Sequence, residues 1–502
     1  MASFSLSIAL LAINLNAADS SGGKPASDTT AAPAAKAAAP APPLRLGPLV
    51  VTGSIRSRFE SWDWFESPGD STYGYSGSIL RLSVGQKINR MEWMLELAAP
   101  VLLGMPDGAV APAPQGQLGL GGTYSAANRN ARNAASVFAK QAFIRFGKLG
   151  ANEAHSVRFG RFEFADGTEV APKDAVLAAV KTSRVAHRLI GNFGWTHVGR
   201  SLDGAQYVYQ VPKGNVTVVA AMPTRGVFQT DGWGRLNTAF AYGAFTRPYG
   251  KAKTPGEFRL FGIYYDDWRG VLKTDNRALA LRRADTPQLR IGTFGGHLLQ
   301  AVHTEAGTFD LLAWGAGQSG TWGVQGHRGL SVLAEAGFQP AAWKKLRPWF
   351  RGGYSYGSGD NNANDNRHGT FFQMLPTPRP FARFPFFNMM NNKDAFGEVV
   401  LRPGKKLTLR PQAHLIRLAG RNDLWYAGGG AFQPWTFGYQ GRPSGGSTKL
   451  ANVYDISADY VVNPSVTLGF YYGRAQGLDV ISAIHPKGAS ANMGYIELGY
   501  KF

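Results

Sequence analysis

The chain has 502 residues, and its 53 lysines and arginines against 33 aspartates and glutamates give a formal net charge of +20. Hydrophobic residues make up 44% of the chain, which excludes intrinsic disorder. A mean hydropathy of −0.18 excludes a bundle of membrane helices. The sequence contains no cysteine, which excludes disulfides, cysteine nucleophiles and thiolate metal sites.

The N-terminal region divides into two segments before the folded part begins. Residues 1–18 have the apolar length and small-residue end of a secretory signal, atypical because the first basic residue is Lys24; a frayed N-terminal segment is the alternative. Residues 19–48 are rich in alanine and proline, which predicts a disordered spacer. Beyond residue 20 there is no apolar run near the roughly 18 residues that a membrane helix needs.

The remainder, residues 49–502, repeats one pattern with a period of two residues. In the last strand, for example, Ile496 and Leu498 alternate with Glu497 and Lys501. Counting all similar segments gives about eighteen strands. The composition agrees, since 63 glycines and 12% aromatic residues are typical of strands, tight turns and aromatic girdles.

The connections between these segments alternate in length. Outer-membrane barrels join their strands by short turns at one end and by long loops at the other. A chain that starts and ends on the short-turn side has an even strand number, and both termini then face the periplasm. The short connections are 212–215, 304–307, 340–345, 403–406 and 462–464, and the long ones are 100–136, 165–203, 358–393 and 418–447.

The distribution of charge indicates which face of the sheet points outward. Arg347 and Arg351 on one segment, and Asp455 and Asp459 on another, put charge where a soluble barrel would need an apolar core. A wide barrel in lipid has the opposite arrangement, apolar outside and wet inside. The sequence therefore predicts an all-β fold, a transmembrane antiparallel up-and-down β-barrel with a polar lumen, in the outer membrane of a Gram-negative bacterium.

Five blocks of the sequence carry a likeness to a known family: residues 159–167, 314–323, 358–365, 370–377 and 423–426. They resemble the alginate export family of outer-membrane channels. The resemblance covers most of residues 49–502, and the block that begins at Ser358 is its most specific part. It implies an eighteen-stranded monomeric barrel with an arginine-lined constriction that passes an anionic polysaccharide.

Arginine is the side chain of interest for such a channel, because guanidinium groups bind carboxylates bidentately and keep their charge at any relevant pH. Taking the polar face of each strand as lumenal gives a set of predicted pore-lining or substrate-binding residues. They are Arg56, Arg58, Arg81, Arg145, Arg158, Arg259, Arg290, Arg347, Arg351 and Arg410.

Two other uses of this charge remain open. The arginines can brace the wall by pairing with inward acids, although a net charge of +20 leaves a basic surplus that would focus anions in a narrow pore. Arginines in the loops, such as Arg129, Arg132, Arg282 and Arg283, can instead bind anionic lipid head groups. The predicted inward acids are Glu60, Glu92, Glu96, Glu257, Glu335, Asp455, Asp459 and Glu497.

Other chemistry has weaker support in the sequence. A hydrolase would use His297, His303 or His414, but no serine stands at a motif spacing that marks a nucleophile. Residues 360–365 mimic the opening of a calcium loop without its glycine or its final glutamate, and turn-forming Asn and Asp are the alternative. Residues 174–181 are typical of a short helix, either a lid folded inward or ordinary loop packing.

We therefore expect a passive outer-membrane channel selective for anions, which exports or conducts an anionic polysaccharide such as alginate, with no catalysis, cofactor or metal. The alternative is a general anion-preferring porin for small acids or oligosaccharides; a hydrolase or an adhesin-like barrel is a further class. The expected partners are an anionic polysaccharide or small anionic solute, outer-membrane lipid and periplasmic secretion proteins. Nucleic-acid binding is not expected, since the sequence contains no recognised module or basic helix.

Overall fold

The computed structural model describes residues 43–502, so the predicted signal and nearly all of the predicted spacer lie outside the described residues. Eighteen long strands form the wall of a closed antiparallel β-barrel, as predicted. In chain order, β1 to β18 are Leu49–Asp63, Thr72–Ile88, Met91–Leu103, Phe138–Leu149, His155–Phe162, Leu202–Val211, Gly214–Pro223, Thr238–Lys251, Thr254–Asp267, Leu289–His303, Gly307–Trp322, Gln325–Pro340, Trp349–Gly357, Asn392–Val400, Leu407–Leu418, Lys449–Val461, Val466–Gly477 and Ser490–Lys501.

The wall closes by pairing the first strand with the last. β1 and β18 are antiparallel, with Ser54 opposite Lys501 at one end of the ladder and Asp63 opposite Asn492 at the other. Each of the remaining wall strands pairs with its neighbours in sequence. Closure leaves no unpaired edge, which is the requirement for strands that cross hydrocarbon.

The two ends of the barrel differ in their connections. The short-turn end carries turns such as 89–90, 212–213 and 252–253, and the last strand also ends there. The long-loop end carries 104–137, 163–201, 358–391 and 419–448, while a single tight connection, 323–324, interrupts the series. The predicted alternation is thus present, with that exception.

A short hairpin precedes the wall at the short-turn end. Leu44–Leu46 pairs with the first residues of β1, although the sequence predicted spacer as far as residue 48.

The other elements outside the wall are the strands Ala134–Ala135, Arg367–His368, Leu424–Gly428 and Tyr439–Pro443, the helices α1 (Gly119–Ala127), α2 (Ala175–Val180), α3 (Leu279–Ala284) and α4 (Asp479–Ile484), and a π-helical turn, Lys181–Val185. Among the described residues, no helix has the length and apolarity to cross a bilayer.

Alternation along each strand separates an apolar outer face from a polar inner face. On β1, Ile55 and Phe59 point outward with 42% and 55% of their surface uncovered by protein. Arg58 and Glu60 on the same strand point inward and are buried. The same period-two pattern holds on both neighbouring strands, because β1 pairs in register with each of them.

Residues 163–201 leave the wall after β5 and cross the lumen. Asp174 caps α2, accepting backbone N–H groups of its first turn, and its carboxylate lies 2.9 Å from Nε2 of His303 on β10. Lys181, just after α2, donates to Glu257 on β9 at 2.6 Å. The short helix predicted near 174–181 therefore exists, and it lies against the inner wall.

A second segment, residues 371–391, packs on the first inside the barrel. The backbone N–H of Gly191 donates to the carbonyl of Leu375 at 2.7 Å, and the N–H of Leu375 donates to the carbonyl of Leu189 at 3.0 Å. Most of the side chains between Phe371 and Met390 are buried. The two segments together fill much of the lumen of the described barrel.

Glu335 on β12 holds the crossing segment to the wall. Both of its carboxylate oxygens accept a hydrogen bond from Nε of Arg184 at 2.9 Å. One of these oxygens also lies 3.1 Å from Nη2 of Arg351. Arg188 approaches the same carboxylate at 3.6 Å. All four side chains are almost fully buried, so the cluster depends on mutual neutralisation.

We expect Glu335→Gln to loosen the segment 163–201, because Arg184 would stay buried without its ion-pair partner, a loss of about 3–5 kcal/mol. Limited proteolysis of the refolded barrel, followed by mass spectrometry, should then show cleavage inside this segment. The matched control is Glu305→Gln, which removes the same group from an exposed turn. Protease resistance of E335Q equal to that of the wild type would contradict the role of this carboxylate.

Candidate functional site in the lumen

Some of the predicted pore arginines lie on the inner wall but are engaged by buried acids. Nη2 of Arg58 lies 2.5 Å from Glu497, and its Nη1 lies 3.2 Å from Glu60. Arg351 shares Glu335 with the crossing segment and also lies 3.4 Å from Asp310. These two arginines brace the barrel.

Three more predicted arginines hold the crossing segment directly. Arg81 bridges Glu96 on the neighbouring strand, at 2.6 Å, and Glu163 at the start of the segment, at 2.7 Å. Arg259 pairs at 3.0 Å with Glu169 of the same segment. Arg56 donates to backbone carbonyls within residues 193–197. Wall arginines therefore anchor a lumenal loop, a role that the pattern of single strands does not reveal.

Arg145 and Arg158 form a different arrangement, a pair of like charges. They are directly opposite each other on β4 and β5, and both face the lumen. Arg145 is exposed and lies 3.6 Å from Glu92. Arg158 lies with its guanidinium 4.2 Å from the ring of Phe162 and forms no ion pair with any described residue. Nη2 of Arg158 instead donates to the backbone carbonyl of Glu163 at 3.4 Å, so Glu92 is the ion-pair partner of one member of the pair.

Two predicted pore residues do not face the lumen. Arg290 is on the outer face of β10, opposite Asp266 of β9 and on the same side as the highly exposed Phe294. Arg347 precedes β13 in the short-turn link and donates to the backbone carbonyls of Arg402 and Gly404. Its φ of 42° belongs to a turn, not to a strand.

The last predicted arginine, Arg410, lines a lumenal cavity with three arginines from the loops. Arg184 comes from 163–201, and Arg379 and Arg383 come from 358–391. The acids in this lining are Glu398 and Asp459, and Asp459 pairs with Arg410. Arg184 is neutralised by Glu335, which lies outside the lining. The remaining lining residues are Thr182, Ser183, Trp349, Pro380, Val400, Gln412, Ser457 and Tyr495.

Arg379 is held mainly by aromatic rings. Its guanidinium lies 4.3 Å from the ring of Trp195 and 4.5 Å from that of Tyr471, while Nη2 donates to the hydroxyl of Tyr495 at 3.0 Å. Its Nη1 is buried without a hydrogen-bond partner among the described residues. This unused donor is available to an anion in the cavity.

Arg383 completes the cavity beside the wall acids. It donates to the hydroxyl of Ser457 on β16. Burial lowers the pKa of this guanidinium, but the nearby carboxylates of Glu398 and Asp455 outweigh that effect and leave the pKa raised. The group therefore carries its charge at every relevant pH.

The sequence prediction missed Arg184, Arg379 and Arg383 because it searched the polar faces of strands, and the one loop helix that it considered as an inward lid ended at residue 181. A usable signal was present in the composition of residues 371–390, which are rich in phenylalanine and methionine. A solvent-facing loop rarely carries so much apolar surface, so this stretch indicates burial.

The short-turn end is strongly basic. In its turns and at the adjoining strand ends, the carboxylates include Glu153, Glu305 and Glu92, which is directly opposite Lys87, and they are fewer than the cations. A basic rim of this kind concentrates anions at the opening of the barrel. The exposed cations are Lys87, Arg90, Lys148, Lys213, Lys251, Lys253, Lys344, Lys345, Lys405 and Lys406.

The residues that the sequence offered for a hydrolase or a calcium site make structural contacts within the protein. His297 pairs with Glu257 at 3.0 Å, and His414 with Asp394 at 2.9 Å. The carboxylate of Asp360 accepts backbone N–H groups of the loop at Asn362 and Gly369, as expected for turn-forming residues. Among residues 43–502, no group of three or more histidines or acids is placed to hold a metal ion.

Comparison with known proteins gives the family. A family model described as alginate export matches residues 115–481. The outer membrane protein OpdK from Pseudomonas aeruginosa is 8% identical with a TM-score of 0.51, and OccAB2 from Acinetobacter baumannii is 10% identical with a TM-score of 0.54. Each of these similarities covers 90% of this chain and 98% of the solved chain, and at such low identity it concerns the fold alone. None of the curated proteins matches this sequence. Because the family match spans well over half of its length, this chain is a member of the alginate export family of outer-membrane β-barrel channels.

Proposed function

We propose that this barrel is a passive channel that prefers anions and conducts an anionic polysaccharide, with no covalent step. The observation that carries the proposal is Arg379 in the cavity that it lines with Arg184, Arg383 and Arg410. Arg379 forms no ion pair with a described residue and keeps one guanidinium nitrogen without a hydrogen-bond partner among them. In the low-dielectric interior of the barrel, uncompensated guanidinium groups attract anions strongly. Family membership supports the same class of solute.

The geometry suits a chain that carries a carboxylate on each sugar. Guanidinium groups bind carboxylates through two parallel hydrogen bonds, and several such groups on facing elements let a polyanion exchange one partner for the next. Arg145 and Arg158 supply a second basic position on β4 and β5. Conduction needs binding that is favourable but divided over several positions, and two separate arginine groups meet that need.

We also propose that the short-turn end faces the periplasm, with both termini on that side. Short periplasmic turns and long external loops are the usual arrangement of outer-membrane barrels. The basic rim, including Lys344 and Lys345, would then collect a polyanion on the periplasmic side before it enters the lumen. A passive pore has no built-in direction, so export follows from where the polymer is made.

The second candidate is a porin for small acids. It is favoured by the close packing of residues 189–191 on Leu375, which narrows the lumen. A small acid with one carboxylate needs only one arginine group. A polymer, in contrast, must pass both lumenal segments, residues 163–201 and 371–391.

We expect the refolded barrel to prefer chloride over potassium, because its fixed lumenal charge is positive. The reversal potential in a planar bilayer under a KCl gradient measures this preference. Arg145→Gln combined with Arg158→Gln should move the reversal potential toward zero, since the pair supplies two of the fixed charges. Arg290→Gln is the matched control on the outer wall and should leave the value unchanged. Cation preference in the wild type would overturn the proposal.

We expect oligouronates to block the chloride current, and we expect the block to strengthen with chain length. Arg379→Gln combined with Arg383→Gln should raise the half-blocking concentration by about tenfold or more, because each charge-assisted hydrogen bond contributes about 1.5–3 kcal/mol. A neutral oligosaccharide of equal length is the control and should not block. If a single uronate blocks as well as a long chain does, the small-acid porin is the better description.

A further inference from the structure

Opposite charges pair across neighbouring strands on part of the outer wall. Arg161 on β5 is directly opposite Asp203 on β6, and its Nε lies 2.7 Å from that carboxylate. Arg290 on β10 is directly opposite Asp266 on β9. On these strands each outward arginine thus has a carboxylate as its cross-strand neighbour.

β14 and β15 break this rule. Lys393 on β14 is directly opposite Arg417 on β15, and both side chains belong to the outer face at the long-loop end. Like charges in direct cross-strand positions repel and destabilise a sheet. The outward faces of β12 to β17 contain no carboxylate that would relieve the repulsion.

The available donors of this pair point to an anion from outside the protein. Nη1 of Arg417 is fixed by the carbonyls of Ile416 and Ala451 and by the side-chain oxygen of Asn452. Its Nε and Nη2, and the Nζ of Lys393, have no hydrogen-bond partner in the part of the chain that the structure describes. The guanidinium is therefore held in place with its remaining donors unused.

Further cations extend the row on the neighbouring strands. Lys449 at the start of β16 pairs in register with Arg417, and its ammonium lies 3.7 Å from Asp479, where both side chains are highly exposed. Arg474 on β17 faces outward opposite Tyr454 and forms no ion pair with a described residue. The row thus spans four adjacent strands.

Below Lys393 and Arg417, toward the middle of the wall, the outer face is apolar, and Arg474 lies at the upper edge of this apolar surface, directly opposite Tyr454. Leu415 is 49% exposed, and Tyr454 and Tyr472 are also largely exposed. Cations above a belt of tyrosine and aliphatic side chains lie where lipid head groups meet acyl chains. The surface matches a ligand with phosphate groups at one end and hydrocarbon at the other.

We propose that Lys393 and Arg417, together with Lys449 and Arg474, bind the phosphate groups of a lipid in the leaflet on the long-loop side. This assignment uses the orientation given under the proposed function, in which that leaflet is the outer one and carries lipopolysaccharide. The phosphates would lie between the like charges and cancel their repulsion, while the acyl chains cover the apolar belt. The site lies on the outer wall and is separate from the lumen.

The test uses the full refolded chain in neutral detergent, titrated with diphosphoryl lipid A. We expect Lys393→Gln combined with Arg417→Gln to weaken binding by roughly tenfold or more, since each basic group near a charged lipid surface contributes about 1 kcal/mol. The matched control is Lys405→Gln with Lys406→Gln, which removes the same charge from the short-turn end and should bind as the wild type does. The site would be overturned if the Lys393/Arg417 variant bound lipid A as tightly as the wild type, or if the control lost as much affinity as that variant.

Two further readouts distinguish the source of the phosphate and protect against a folding defect. Inorganic phosphate should not compete at concentrations far above that of the lipid; if it competes fully, the site is one for free phosphate.

Lys393→Gln alone leaves the hydrogen bonds of Arg417 intact, and in the absence of lipid it should unfold at the same or a higher temperature because a repulsion is removed. A lower unfolding temperature would contradict that repulsion. Chloride selectivity of these outer-wall variants should equal that of the wild type, so the lipid site and the proposed channel function fail independently.

Discussion

Every backbone N–H and C=O group in the hydrocarbon layer must be paired within the protein, and the rest of this structure depends on that constraint. The pairing of β1 with β18, from Ser54 to Asp63, satisfies it by closing the sheet. Closure also fixes the direction of each side chain, outward to lipid or inward to the lumen. Because eighteen strands enclose more space than their own inward side chains fill, residues 163–201 and 371–391 enter the barrel.

The polar inner wall determines how those segments are held. A buried charge is tolerated when a counter-charge meets it, and breaking such a pair is costly. Glu335 therefore receives Arg184 from the loop, and Glu257 receives Lys181. Many lumenal arginines are consumed in the same way, so their number does not measure the affinity of the lumen for anions. What remains effective is a guanidinium group without such a partner, as at Arg379 in the cavity, which forms no ion pair with a described residue.

The sequence was sufficient to predict the barrel, its number of strands and the difference between its two ends, because period-two alternation and connection length are local signals. It was less reliable for single side chains. The prediction began a strand near residue 346, whereas β13 begins at Trp349, and Arg347 accordingly lies in the link. Arg290 precedes a stretch interrupted by glycine, in which neither face is clearly apolar. Arg379 and Arg383 reach the lumen through contacts between distant parts of the chain, which no local pattern encodes.

Two pairs of like charges, Arg145 with Arg158 and Lys393 with Arg417, stand out against this background of neutralisation. The outward Arg–Asp pairs on β5–β6 and β9–β10 show that opposite charges are readily placed across adjacent strands of this barrel. A like-charged pair costs stability unless a third group lies between its members. For Arg145 and Arg158, Glu92 lies 3.6 Å from one member, and under the proposed function diffusing anions add to it and exchange quickly. On the outer wall the neighbouring medium is lipid, where a charged partner with acyl chains stays. In these two proposals the same local arrangement serves transient binding on the inner face and lasting binding on the outer face.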